Sequence, residues 1–245
     1  MDPTSLTYIN TVKYTSTTAA QDIKRMLLNA VIPAILVLLI STVFFMDKEF
    51  GLELYRYGLK PRTLTGLLGI LTMPFIHGGF EHLFNNMTAL FVLVWFLFYF
   101  YKDLGPRILF WIFILSGIWV WISARGTFHI GASAVVYGLV TFLFFSGIFR
   151  MYYRLVAVSL LVVFMYGSLV WGILPIQEGV SWEGHLWGSL AGLLLAFIYR
   201  SQGPQRPVYE WEEDDDHDDE TSSSDPSENI HNTGQVTVHY HIKEK

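Results

Sequence analysis

The chain of 245 residues is 52% hydrophobic and 16% aromatic, with only 15% of its residues charged, well below the quarter typical of soluble domains. That composition excludes an ordinary soluble domain and points to a membrane protein. The net charge of −5 hides an asymmetry, because residues 210–245 hold 12 acids against 2 bases and leave 14 bases against 9 acids before them. With no cysteine in the chain, disulfides, thiolate nucleophiles and thiolate metal sites are excluded, so His, Ser, Asp and Glu must carry any reactivity.

Residues 1–25 form a polar N-terminal segment, and the first apolar run follows "KR" only at Met26, too late and too long for a cleaved secretory signal. It reads as a retained first span. Apolar stretches able to cross roughly 30 Å of hydrocarbon then recur at about 28–46, 83–101, 107–123, 132–149, 155–174 and 183–199. The expected fold is all-α, a six-transmembrane-helix membrane domain over residues 26–200. The 47–82 connection, with "ELYRYGLKPRTLTGLLGILTMPF", mixes aromatic, basic and apolar residues like an element lying in the interface, and is not counted as a seventh span. Residues 201–245 lose the apolar pattern, and "EWEEDDDHDDETSSSDPSE" has the charge of a disordered tail. The tail's last segment, "QVTVHYHIK", alternates like a strand, and its His217, His231, His239 and His241 read as solvated rather than metal-bound.

Lys and Arg flanking the spans set the expected orientation. With the N-terminus inside, the inner flanks collect Lys13, Lys24, Arg25, Lys102, Arg107, Arg150, Arg154, Arg200 and Arg206, against Lys48, Arg56, Lys60, Arg62 and Arg125 outside. Both termini are therefore expected in the cytoplasm.

Ionisable and amide side chains are costly in hydrocarbon, so their positions mark function. Three groups stand out: "HGGFEHLFNNM" with His77, Glu81, His82, Asn85 and Asn86, "GASAVVYG" with Gly131, Ser133, Tyr137 and Gly138, and "WEGHLWGSLAG" with Glu183, Gly184, His185, Gly188 and Gly192. They open spans two, four and six, which all run from outside to inside. Topology alone thus brings them to one shallow depth. His82 and Asn86 share a helix face, as do Ser133 and Tyr137, while His185 shares one with Gly188 and Gly192. Small residues at that spacing let membrane helices approach closely.

The chemistry such a cluster permits is nucleophilic. A hydroxyl becomes reactive when an imidazole takes its proton and later returns it to the leaving amine, and Ser133 with His185 would be that pair. His82, Asn86 and backbone N–H groups near Ser133 would hold the oxyanion. Glu183 points elsewhere on its helix, so the expectation is a dyad whose imidazole is oriented by Tyr137 or a water. Taken singly, each residue has a plain structural reading: a serine as a helix cap, a histidine bonded to a carbonyl, a Gly-xxx-Gly stripe as packing. His77, Glu81 and His82 lack the H-E-x-x-H spacing of a metalloprotease, and the "NMT" sequon at Asn86 falls inside a predicted span.

Through "HGGFEHLFNN", "GASA" and "HLWGSLAG" the chain resembles the rhomboid intramembrane serine proteases over roughly residues 26–200. The resemblance implies Ser133 as nucleophile and His185 as general base. It also implies His82 and Asn86 on the oxyanion side, Tyr137 packed against the catalytic imidazole, and Gly188 with Gly192 at a close helix contact. Ala134 follows the nucleophile where the family often has Gly, and the first outer loop lacks the family's frequent Trp-Arg pair.

The expected function is a six-span endopeptidase that cuts transmembrane segments of other proteins near the outer leaflet, without a cofactor or metal and without a nucleic-acid partner. Its surroundings would be a lipid bilayer, by resemblance a bacterial inner membrane. The alternative is an inactive rhomboid-like protein that binds membrane clients. A transporter would need polarity through both leaflets, and the inner halves "VLVWFLFYF", "VTFLFFSGIF" and "LLLAFIY" are almost wholly apolar.

Overall fold

The computed structural model describes residues 19–176 and 179–206; the readings made for residues 1–18 and for the tail from residue 207 lie outside them. Among the described residues there are seven α-helices and no β-strand, only a single bridge between Leu59 and His129. The helices are α1 (Ala19–Phe50), α2 (Leu64–Thr72), α3 (Phe80–Tyr101), α4 (Leu104–Ser123), α5 (Ser133–Arg150), α6 (Tyr153–Tyr166) and α7 (Trp182–Ile198), with short 3₁₀ turns at Leu54–Tyr57, Met73–Phe75 and Gly167–Ile173. Each of the six expected spans has its helix, and α1, α3, α4 and α5 are long and apolar enough to cross a bilayer.

The fifth expected span differs from the sequence reading. The apolar run reads as continuous to residue 174, but the α-helix ends at Tyr166 and the chain tightens into the 3₁₀ turn. The cause is tertiary: the turn carries Gly172, and its carbonyl accepts a hydrogen bond from His185 at 2.8 Å. A Cβ at Gly172 would collide with the Tyr137 hydroxyl. With 14 residues, α6 rises only about 21 Å.

The 47–82 connection is no seventh span. Its α2 has 9 residues, about 14 Å of rise, and is started by Thr63, whose hydroxyl accepts the Gly66 N–H at 3.1 Å. Gly66 and Gly69 press against the backbone of Lys60 and Leu59, while Leu64, Leu67, Leu68 and Leu71 are exposed. An apolar outer face on a short helix suits the membrane interface.

At the centre of the bundle lies α5, with Leu139, Phe142 and Leu143 shut off from solvent among Leu93, Leu97, Ile108 and Ile112 of α3 and α4. Its tightest neighbour is α7. A Cβ on Gly188 would overlap the carbonyl of Ala134, and one on Gly192 the carbonyl of Gly138. The two backbones therefore touch along the Gly-xxx-Gly stripe, as small residues allow in a medium where apolar burial alone drives no association. In contrast α1 is peripheral, packed on α3, with Leu27, Leu28, Val31, Ile35 and Leu38 exposed as a lipid-facing surface would require.

Away from the site, the bundle is closed by Arg150 at the end of α5. Its guanidinium donates to the carbonyls of Tyr199 at 2.5 Å and Gln202 at 2.8 Å, and to the carbonyl and hydroxyl of Ser146. The Tyr101 hydroxyl donates to Ser146 Oγ at 2.9 Å, and the Tyr101 ring lies 5.3 Å beneath the guanidinium. One buried cation thus neutralises the carbonyl end of α7 and ties it to α3 and α5.

Candidate active site

Ser133 is the first residue of α5, and Gly131 makes that start possible. Its φ of +105° belongs to a region that L side chains avoid. A Cβ there would also strike the imidazole of His82. Because α5 begins at Ser133, the amides of Ser133 and Ala134 have no acceptor within the helix, while those of Val135 and Val136 donate to the Ala132 carbonyl.

Across the α5–α7 contact, His185 Nε2 lies 2.9 Å from Ser133 Oγ, and its Nδ1 lies 2.8 Å from the Gly172 carbonyl oxygen. A carbonyl can only accept, so Nδ1 carries the ring proton and Nε2 accepts from the serine hydroxyl. The Tyr137 ring stacks on the imidazole at 4.1 Å between centroids and 6° between planes. Where the sequence suggested Tyr137 or a water as the orienting group, the Gly172 carbonyl holds the Nδ1 side of the imidazole and the Tyr137 ring supplies the face on which it stacks.

His82 and Asn86 lie on the same face of α3 and line, with Ser133 and His185, a cavity of about 870 Å³. The Asn86 amide donates to the His82 carbonyl at 2.7 Å, which holds its side chain while leaving one amide hydrogen free. Glu81 and Asn85 sit on the cavity rim and are exposed. Gly188 and Gly192 stand apart from the cavity and act through the helix contact.

Two further arrangements escaped the sequence reading. His77 is buried and accepts the N–H of Ala132 at 3.4 Å, fastening the residue before Ser133 to the loop ahead of α3. Its ring lies 5.0 Å from that of His82. Burial, helped by His82, pushes the His77 imidazole down to about 4, so it is neutral and able to accept. The signal in the sequence is its place in "HGGFEHLFNNM", five residues before His82, which marks it as polar near the site without naming its partner.

The other arrangement ties the start of α7 to the loop before α5. His129 is buried, with Nε2 3.1 Å from the Arg125 carbonyl and Nδ1 2.5 Å from Ser181 Oγ. Nε2 must donate, so Nδ1 accepts the Ser181 hydroxyl hydrogen, and Ser181 in turn accepts the Gly184 N–H as the α7 cap. Burial lowers the His129 pKa, which suits a neutral ring. Arg125 binds the Glu183 carboxylate at 3.2 Å and the Val180 carbonyl. Glu183 is therefore committed to Arg125 and not to His185, as its position on the helix implied.

The family model of the Rhomboid domain matches residues 65–202. The chain is 32% identical over 175 residues to an uncharacterized protein of Mycobacterium tuberculosis and to one of Mycobacterium bovis, covering 66% of this chain and 71% of each relative. An uncharacterized protein of Mycobacterium leprae is 28% identical over 170 residues, 65% of this chain and 67% of that relative. With seven helices, a closely packed α5–α7 pair and a family match that spans all but the first of the long helices, this chain is a multi-pass membrane protein of the rhomboid family.

Proposed function

We propose that this protein is an intramembrane serine endopeptidase that cleaves transmembrane segments of other membrane proteins. The observation that carries the reading is the 2.9 Å approach of His185 Nε2 to Ser133 Oγ, with the imidazole held in the accepting tautomer by Gly172. His185 takes the hydroxyl proton as Ser133 Oγ attacks the scissile carbonyl carbon. The tetrahedral oxyanion is met by His82, the free hydrogen of Asn86 and the opening amides of α5, where the helix dipole also favours negative charge. The imidazolium then returns its proton to the leaving amine, and a water, activated by the same ring, hydrolyses the acyl-serine ester.

All reactive groups belong to the first two turns of α3, α5 and α7, so the chemistry lies at one shallow depth beside a cavity that water can enter. A substrate helix has its carbonyls satisfied and shielded, so segments with small or helix-breaking residues are the preferred clients. By the Lys and Arg distribution the Ser133 end faces outward and both termini lie in the cytoplasm; the family resemblance makes the membrane a bacterial inner membrane.

The test pairs wild type with Ser133→Ala in proteoliposomes carrying a tagged single-span reporter. Wild type should cut the reporter and be labelled by a serine-directed fluorophosphonate, while the variant does neither. Equal cleavage by both would sink the proposal, and a wild type that binds reporters, resists labelling and cuts none would instead be an inactive client-binding rhomboid.

A further inference from the structure

At the end of the bundle away from Ser133, a hollow of about 480 Å³ opens between the start of α1, the α3–α4 turn and the chain that follows α7. Arg25, Lys102 and Arg107 line it together with one acid, Asp103. The formal balance of its walls is positive, by three cations to one anion. Positive charge flanking a membrane helix is common, but here cations from two distant stretches of chain, the start of α1 and residues 102–107, converge on one concavity.

Its depth identifies what it meets. The 22 residues of α3 rise about 33 Å, which matches the hydrocarbon thickness of a bilayer. With His82 near one boundary, Tyr99–Asp103 therefore stand at the other, at headgroup level. Acyl chains have a surface to follow from there, since the exposed apolar residues Leu27 and Leu28 come within a turn of Arg25 on α1.

The cations are also prepared unequally. Arg25 is held in place, donating to the Tyr99 carbonyl at 3.1 Å with its guanidinium 5.1 Å over the Tyr99 ring. Lys102 and Arg107 are exposed, and their side chains have no hydrogen-bond or ion-pair partner among the described residues. One fixed fork and two uncommitted long side chains suit a phosphate arriving at a set depth. A freely dissolved anion would face the same cations without the concentration that a leaflet supplies.

We infer that this hollow binds the headgroup phosphate of an anionic phospholipid in the leaflet opposite Ser133. Arg25 orients the phosphate, and Lys102 and Arg107 close on it. Because the walls include Gln202, whose carbonyl receives Arg150, a bound headgroup joins α1, the α3–α4 turn and the end of α7. The inference is independent of the proposed protease activity and needs no reporter substrate.

The experiment places the full-length protein in nanodiscs of phosphatidylcholine, phosphatidylethanolamine or phosphatidylcholine mixed with phosphatidylglycerol. It reads retained lipid by native mass spectrometry and the thermal unfolding midpoint. Phosphatidylglycerol should be retained preferentially and should raise the midpoint. The Lys102→Gln/Arg107→Gln variant should lose that retention by about fivefold per charge removed and lose the rise in midpoint. Lys24→Gln, which removes a charge from the same end but not from the hollow, should keep both. The inference is overturned by equal retention of all three lipids, by a double variant that behaves as wild type, or by a Lys24→Gln loss as large as that of the double variant. A midpoint rise reproduced by inorganic phosphate alone in neutral detergent would overturn the lipid assignment as well.

Discussion

The two ends of the bundle both bury polar groups, and they treat them in opposite ways. At the Arg150 end the donors and acceptors face one another: the two terminal nitrogens of the guanidinium, Ser146, Tyr101 and two carbonyls after α7 bond among themselves, and only the buried Arg150 Nε is left without a partner among the described residues. At the Ser133 end the chain of bonds runs from Gly172 through His185 to Ser133 and stops at a cavity. The serine oxygen keeps lone pairs open to that cavity, and His82 and Asn86 face the same space. Buried polarity alone therefore says little about chemistry; what distinguishes the site is that its network ends in open volume.

Breaking the open end should cost activity with little cost in stability. His82→Ala or Asn86→Ala should each lower turnover of a membrane reporter by about 10²-fold to 10³-fold, the usual cost of an oxyanion donor, with the unfolding midpoint nearly unchanged. A midpoint that falls in step with turnover would make these residues structural. Breaking the closed end should do the reverse. Arg150→Met strands two carbonyls and Ser146, and should destabilise the fold by about 2–4 kcal/mol while each folded molecule cleaves at the wild-type rate. Denaturation monitored beside reporter cleavage separates the two cases.

A smaller effect sharpens the contrast within the site end itself. An unfolded histidine titrates near 6.5, whereas His77 stays neutral in the fold down to about 4. Below the unfolded value the unfolded chain takes up a proton that the native state refuses, so stability should fall as the pH drops through that window. His77→Gln, which can still accept the Ala132 N–H, should flatten the dependence of the unfolding midpoint on pH. Identical slopes for wild type and variant would refute that role.

Much of this was legible in the chain. Long apolar runs locate α1, α3, α4 and α5 because a bilayer demands them, and the His, Ser, Asn and Gly residues that interrupt those runs mark the site because hydrocarbon makes them costly. The pairing of Ser133 with His185 could be reasoned from topology and the glycine stripe. The groups that support the pair could not. Gly172 is a glycine in an apolar run whose carbonyl acts, and carbonyls leave no mark in a sequence. His77, His129 and Arg125 serve through contacts with residues 55, 52 and 58 positions away, and local spacing says nothing at that range.

From its residues alone this chain determined that it enters a membrane, roughly where its helices run, and which side chains are too polar to be there without reason. These are matters of transfer free energy and helical period, and both are local. The fold decided how α6 gives way to a 3₁₀ turn, which carbonyl holds the imidazole, where Glu183 spends its charge, and which cations gather around the second hollow. Each of those depends on backbones brought together from distant parts of the chain, and only packing settles the distance between them.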